Sequence, residues 1–179
     1  MKDYVIKTSR LGLRQWLPSD KVSFAIMNAD IRVMEKFPKA LTPAESDTLY
    51  ELLKVHYEEY GFTYFAVDEL ATNRFIGFIG MKHQTYEADF NPSVDIGWRL
   101  IPAVWGKGYA TEGAKACLDA ARDQFGIQEV ISVCTHNNLV SEKVMKKLGM
   151  KKEYSFNHPS IDPDSTLNPC VLYTIVTEI

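Results

Sequence analysis

The chain has 179 residues, 46% hydrophobic and 24% charged, which suits one domain over residues 1–179 with a full core and is short for two. A formal charge of -3 supplies no basic excess for tracking a nucleic-acid backbone, so nucleic acid is not an expected partner. Cys117, Cys134 and Cys170 are odd in number and sit apart in apolar runs, which gives neither a disulfide framework nor a zinc pattern. The N-terminal residues lack an apolar signal core and no apolar run approaches the roughly 18 residues of a membrane span, so a cytoplasmic protein without a membrane partner is expected.

Arg10, Leu11, Gly12, Leu13 and Arg14 alternate like a strand, and Ser19 and Asp20 offer helix-start chemistry before Val22, Phe24, Ala25 and Ile26. Asp30 is placed to cap a second, short helix running to Met34. Thr42, Pro43 and Glu45 form a capping box with proline at the first helical position. The long helix that follows carries Leu49, Leu52, Leu53, Val55, Tyr57 and Tyr60 at three- and four-residue steps, and Gly61 supplies a left-handed stop. A hairpin is expected from residues 63–67 and 74–80 around the polar turn Ala71, Thr72 and Asn73. Residues 82–93 are polar and aperiodic and read as an exposed loop.

Val94-Asp95-Ile96-Gly97-Trp98-Arg99-Leu100 then reads as a strand, and Gly106-Lys107-Gly108-Tyr109-Ala110-Thr111-Glu112 lies between it and an Ala-rich amphipathic helix. A strand that stops, two glycines and a helix start leave backbone N–H groups unpaired at the positive end of a helix dipole, a socket for a phosphate-bearing ligand. Lys107 adds a cation between the glycines. The spacing is neither the phosphate loop with Gly-Lys-Ser/Thr nor the three-glycine dinucleotide fingerprint. Downstream, Glu129 to Thr135 is a strand and a helix starts near Asn138, with Val140, Val144, Met145 and Leu148 inward and Gly149 at its end. Residues 171–176 form a last strand. His56, His83, His136 and His158 lack metal-ligand spacing, so no metal is expected. Trp98, Trp105 and Tyr109 read as core, and the lysines at 143, 146, 147, 151 and 152 read as a solvated helix face.

Taken together, the 94–100 strand, Pro102, Trp105-Gly-Lys-Gly-Tyr-Ala-Thr-Glu, and the Asn138, Ser141, Val144, Met145, Leu148, Gly149 series resemble the GNAT superfamily of acyl-CoA-dependent N-acetyltransferases. The opening Ser9-Arg10-Leu11, Leu13-Arg14 and Trp16 resemble its ribosomal-protein N-terminal acetyltransferase subgroup. The resemblance implies an α/β (α+β) fold, a mixed, mostly antiparallel central sheet flanked by helices and splayed at the acetyl-CoA site. It implies acetyl-CoA (coenzyme A) as cofactor, with Leu100 and Ile101 offering free backbone groups to the pantetheine arm. Leu100 would also be the donor to the thioester carbonyl. The amides of Gly106, Lys107, Gly108, Tyr109, Ala110 and Thr111 would hold the pyrophosphate, with Asn138 on the pantetheine.

Asp95 stands about where many members keep a glutamate that takes the proton of an incoming ammonium, and it equally suits an ordinary hydrogen-bonded strand carboxylate. Asn138 equally suits a helix cap. The chain departs from the superfamily at Ala103, where Arg or Gln is usual, and at Met145, where many members place the tyrosine that protonates the leaving thiolate. Ser141 becomes the candidate for that task, beside its reading as a cofactor contact or a backbone-bonded hydroxyl. The implied partner is an amine acceptor, a peptide N-terminus or a small molecule, attacked directly in a ternary complex, and a homodimer is the default assembly. The rival expectation is an acyl-CoA-binding sensor without turnover.

Overall fold

A computed structural model describes residues 3–177. Eight strands form one sheet in the order β1-β2-β3-β4-β5-β6-β8-β7. In chain order the elements are β1 (Ile6–Lys7), β2 (Leu11–Arg14), α1 (Asp20–Ala29), α2 (Pro43–Tyr60), β3 (Tyr64–Glu69), β4 (Arg74–Gln84) and β5 (Ser93–Leu100). After a short turn of 3-10 helix come α3 (Tyr109–Asp123), β6 (Glu129–Thr135), α4 (Leu139–Lys147), β7 (Lys151–Phe156) and β8 (Cys170–Val176). Every neighbouring pair is antiparallel except β5 and β6, which run parallel.

Strand alternation divides the core between the two faces of the sheet. Phe65 and Val67 of β3 and Ile79 and Met81 of β4 pack with Ala114, Cys117 and Ala121 of α3. Ala66 of β3 and Phe78 of β4 point the other way, to Trp16, Phe24 and Met27 and to Tyr50 and Leu53 of α2. Helix α3 lies close on the sheet because residue 113 is glycine: a Cβ there would stand 2.5 Å from Ile79 Cδ1.

One buried ion network joins the sheet to α1. The Arg14 guanidinium donates from Nε and Nη2 to Asp68 on β3, at 2.8 and 2.9 Å, and from Nη1 and Nη2 to Asp20 at the start of α1, at 2.7 and 2.9 Å. Asp20, expected only as helix-start chemistry, is therefore a buried anion that fixes where α1 begins.

The structure differs from the sequence reading in several places. No helix follows Asp30: its carboxylate accepts from the backbone N–H and guanidinium of Arg32, a local arrangement that competes with helical pairing. The capping box at Thr42 and the stop at Gly61 are present, yet the buried stripe of α2 is Ser46, Tyr50, Leu53 and His56, while Leu52 and Val55 are each 55% exposed. Strand β4 runs on to Gln84, because Lys82, His83 and Gln84 pair with Asp95, Val94 and Ser93, so the loop is confined to residues 85–92. Val140 is 79% exposed rather than inward. The two-residue β1 and the polar edge strand β7 gave no periodic signal, and Lys151 and Lys152 lie on β7 instead of a helix face.

Candidate functional site

Strands β5 and β6 share a single register pair, Asp95 with Ile131. The Ser132 hydroxyl donates to the Ile96 carbonyl at 2.9 Å, and beyond that point no further register pair joins the two strands among the described residues. On the other edge of β5, Ile101 N–H donates to Ile76 carbonyl at 2.9 Å. Antiparallel alternation then turns the N–H groups of residues 97, 99 and 101 into the β4 ladder and those of Trp98 and Leu100 toward the gap. Ile101 is therefore corrected: it is not a free edge group, because its N–H is spent on Ile76. The Leu100 carbonyl accepts from the Trp105 indole N–H at 2.8 Å, which fixes the plane of the Leu100–Ile101 peptide.

A cavity of about 480 Å³ occupies the gap. Gly97 and Trp98 line it from β5, Val133 and Thr135 from β6, and Asn138 and Ser141 from the start of α4. Asn138 caps that helix, its Oδ1 accepting from Ser141 N–H at 3.2 Å, which leaves its side-chain nitrogen as the atom able to donate to a ligand. Met145 is buried against the same cavity.

The glycine loop lies outside this cavity, at the start of α3. Gly108 is the N-cap with φ of 80°, a left-handed conformation that disfavours any side chain. The first intrahelical bond runs from Glu112 N–H to the Gly108 carbonyl at 3.0 Å, so the N–H groups of Tyr109, Ala110 and Thr111 precede the helical ladder. Arg10, not among the sequence candidates, holds the loop from the side. Its Nη1 donates to the Lys107 carbonyl at 3.0 Å, its Nε to Glu112 at 2.7 Å, and its guanidinium lies 4.5 Å from the Tyr109 ring centre. Lys107 Nζ stands 3.6 Å from Glu69, which also accepts from the buried Tyr109 side chain, so the lysine is partly neutralised in place.

Asp95 lies on the cavity face that looks toward α1 and α2, and is only 8% exposed. The Tyr64 hydroxyl donates to its Oδ2, and Gln84 Nε2 approaches the same oxygen at 3.4 Å. Burial pushes the carboxyl up to about 7, against the opposing pull of the Tyr64 and Gln84 hydrogen bonds and the nearby Lys82 charge. The same burial drives the Tyr64 phenol upward and the Lys82 ammonium downward. Tyr64, Gln84 and Arg99 were not among the sequence candidates. The period of two along β5 was the available signal for Arg99, because it puts Asp95, Gly97 and Arg99 on one face. Among the described residues no group of three His, Cys, Asp or Glu side chains is placed to hold a metal ion, and no helix is long and apolar enough to cross a membrane.

A family model described as acetyltransferase (GNAT) domain matches residues 10–151. The uncharacterized N-acetyltransferase YnaD of Bacillus subtilis is 39% identical over 62 residues, 35% of this chain and 36% of that relative, so the likeness spans about a third of the relative's length. Among solved structures, a GNAT-family acetyltransferase from Bacillus anthracis superposes with a TM-score of 0.79 at 24% identity, covering 96% of this chain and 98% of that one. A spermidine N-acetyltransferase from Vibrio cholerae, in complex with CoA and spermine, gives 0.75 at 17% identity, covering 95% and 97%. At these identities the superpositions speak to the fold, which is the expected GNAT arrangement of a mixed sheet flanked by helices.

Proposed function

Because this chain belongs to the acetyltransferase (GNAT) family, we propose that it moves an acetyl group from acetyl-CoA to a primary amine by direct attack in a ternary complex. The observation that carries the reading is the single-pair junction of β5 and β6 beside a helix start whose leading amides precede any intrahelical bond. Those features fit coenzyme A: N–H groups at a helix N-terminus suit a diphosphate, and the inward N–H groups of Trp98 and Leu100 suit an amide-bearing arm laid alongside β5 as another strand. Bound there, acetyl-CoA supplies an acyl group already activated as a thioester.

The chain's own residues then have separate tasks. The amides of Gly106 to Thr111, held by Arg10, bind and orient the diphosphate, with Lys107 contributing charge. Leu100 N–H, turned toward the gap by strand alternation, donates to the acetyl oxygen as negative charge gathers on it. Asp95, poised near neutrality by burial, accepts the proton that an ammonium must lose before its nitrogen can attack. Asn138 donates to the pantetheine from its amide nitrogen, and the Ser141 hydroxyl returns a proton to the departing sulfur. Alignment supplies most of the acceleration, since a neutral amine is already competent toward a thioester.

The acceptor class includes a protein or peptide N-terminal α-amine, which the likeness of residues 9–16 to the ribosomal-protein subgroup supports, and small amines. The test is thiol release from acetyl-CoA against a panel of peptides and small amines. Turnover above the rate without protein supports the reading. Tight acetyl-CoA binding with no thiol released by any amine would replace it with a non-catalytic acyl-CoA sensor.

A further inference from the structure

The cavity wall opposite the β6 side carries a cation that the acetyl-transfer chemistry leaves without a task. Arg99 projects from the same face of β5 as Asp95 and lines the same cavity. Its guanidinium lies between aromatic rings, 4.2 Å from the centre of Phe37 and 5.2 Å from that of Phe78. Nη1 donates to Asn28 Oδ1 of α1 at 2.7 Å, while Nε is enclosed and has no hydrogen-bond partner. Among the described residues no carboxylate pairs with it. Burial lowers this group to about 10, so it stays charged at neutral pH.

Other charges on the wall do not cancel it. Lys36 is also a cation, paired with Glu35 at 2.8 Å, and Asp95 is the one carboxylate among the lining residues. The rest of this side is aromatic or neutral, with Tyr64, Phe78 and Tyr86 prominent. A polycation entering here would meet Arg99, and Lys36 already paired with Glu35, with one half-titrated carboxylate among the lining residues in compensation. A half-buried guanidinium set between rings, with its Nε lacking a partner and no carboxylate beside it among the described residues, is instead suited to receive an anion.

We propose that the acceptor carries a carboxylate as well as its amine, and that Arg99 binds that carboxylate, making this an acetyltransferase for amino-acid-like amines. The assignment rests on the acetyl-transfer reading above and narrows its acceptor. Asn28 holds the guanidinium in place, and its own amide is anchored by donating from Nδ2 to the Ser46 hydroxyl of α2 at 2.8 Å.

The test uses the full chain with saturating acetyl-CoA and matched acceptors that differ only in the carboxylate: phenylalanine with phenethylamine, and ω-amino acids of increasing length with the corresponding alkylamines. Spermidine serves as the polycationic comparison. The expected result is kcat/KM at least about tenfold higher for the carboxylate-bearing member of the best pair, with that ratio falling toward one in Arg99→Gln and partly kept in Arg99→Lys. Calorimetry with CoA present reads the same contrast as affinity, N-acetylphenylalanine binding more tightly than its decarboxylated counterpart. Equal or better use of alkylamines or spermidine by the unaltered protein would overturn the assignment, as would a ratio that Arg99→Gln leaves unchanged. Thiol release from amines without such a preference would refute only this assignment. No thiol release from any amine would refute the acetyl-transfer reading, and this assignment with it.

Discussion

The Tyr64 hydroxyl on β3 donates its hydrogen to the buried Asp95 carboxylate on β5, reaching across β4 inside the cavity. Two opposed effects meet at that bond. Burial raises the carboxyl to about 7, and the hydrogen bond favours its charged form. If Asp95 takes the acceptor's proton, kcat/KM rises with pH through a limb near 7. Asp95→Asn removes that limb and lowers kcat by about 10²-fold or more. Tyr64→Phe, by removing the bond that stabilises the anion, moves the limb to higher pH. A limb that stays in place in Asp95→Asn assigns the base elsewhere.

The same group makes a stability prediction of opposite sense. An unfolded aspartate titrates at about 3.9, well below the folded value, so between the two the native state keeps a proton that the unfolded chain has lost. Native stability therefore falls as pH rises across that interval, by up to roughly 4 kcal/mol from this residue. Asp95→Asn carries no such cost. Its Tm should exceed that of the unaltered protein at pH 8, with the gap closing toward pH 4, while its turnover is lower throughout.

Arg14, Asp20 and Asp68 are each buried and depend on one another for compensation. Removing the guanidinium strands two carboxylates away from water. Arg14→Ala should cost about 3–5 kcal/mol in urea unfolding, the range for breaking a buried ion pair from one side. A loss below about 1 kcal/mol, the scale of an exposed pair, would mean that the network is solvated in solution.

At the glycine loop, Gly108 holds a left-handed conformation at the point where α3 begins. Gly108→Ala brings backbone strain of roughly 1–2 kcal/mol and tilts the amides that follow. Acetyl-CoA affinity should fall about tenfold or more by calorimetry, with the thermal unfolding profile only modestly lowered. Undiminished affinity would remove this turn from the cofactor site.

The local geometry at several candidate positions was legible in the sequence because its determinants are local. Two glycines before an Ala-rich helix, Asn138 three residues before Ser141, and a strand carrying Asp95 are short patterns with direct backbone consequences. What escaped was set by distant contacts. Arg10 reaches the glycine loop from the bend just before β2, about a hundred residues earlier in the chain. Tyr64 and Gln84 meet Asp95 only through strand register. Ile101 lost its expected free N–H because β4 and β5 pair one residue beyond the assigned strand end. The fold followed the same division: capped helices and the hairpin were readable, whereas β7, polar and at the sheet edge, owes its existence to pairing with β8.

On the proposed function, main-chain N–H groups at the β5 gap and the α3 start are the cofactor's ligands. Amide hydrogen exchange, followed residue by residue with and without acetyl-CoA, tests it directly. Slowed exchange is expected at Trp98, Leu100 and residues 106–111 when the cofactor is present, with the Ile101 amide, already bonded to Ile76, little changed. Unaltered exchange at both the gap and the loop under saturating acetyl-CoA would contradict it.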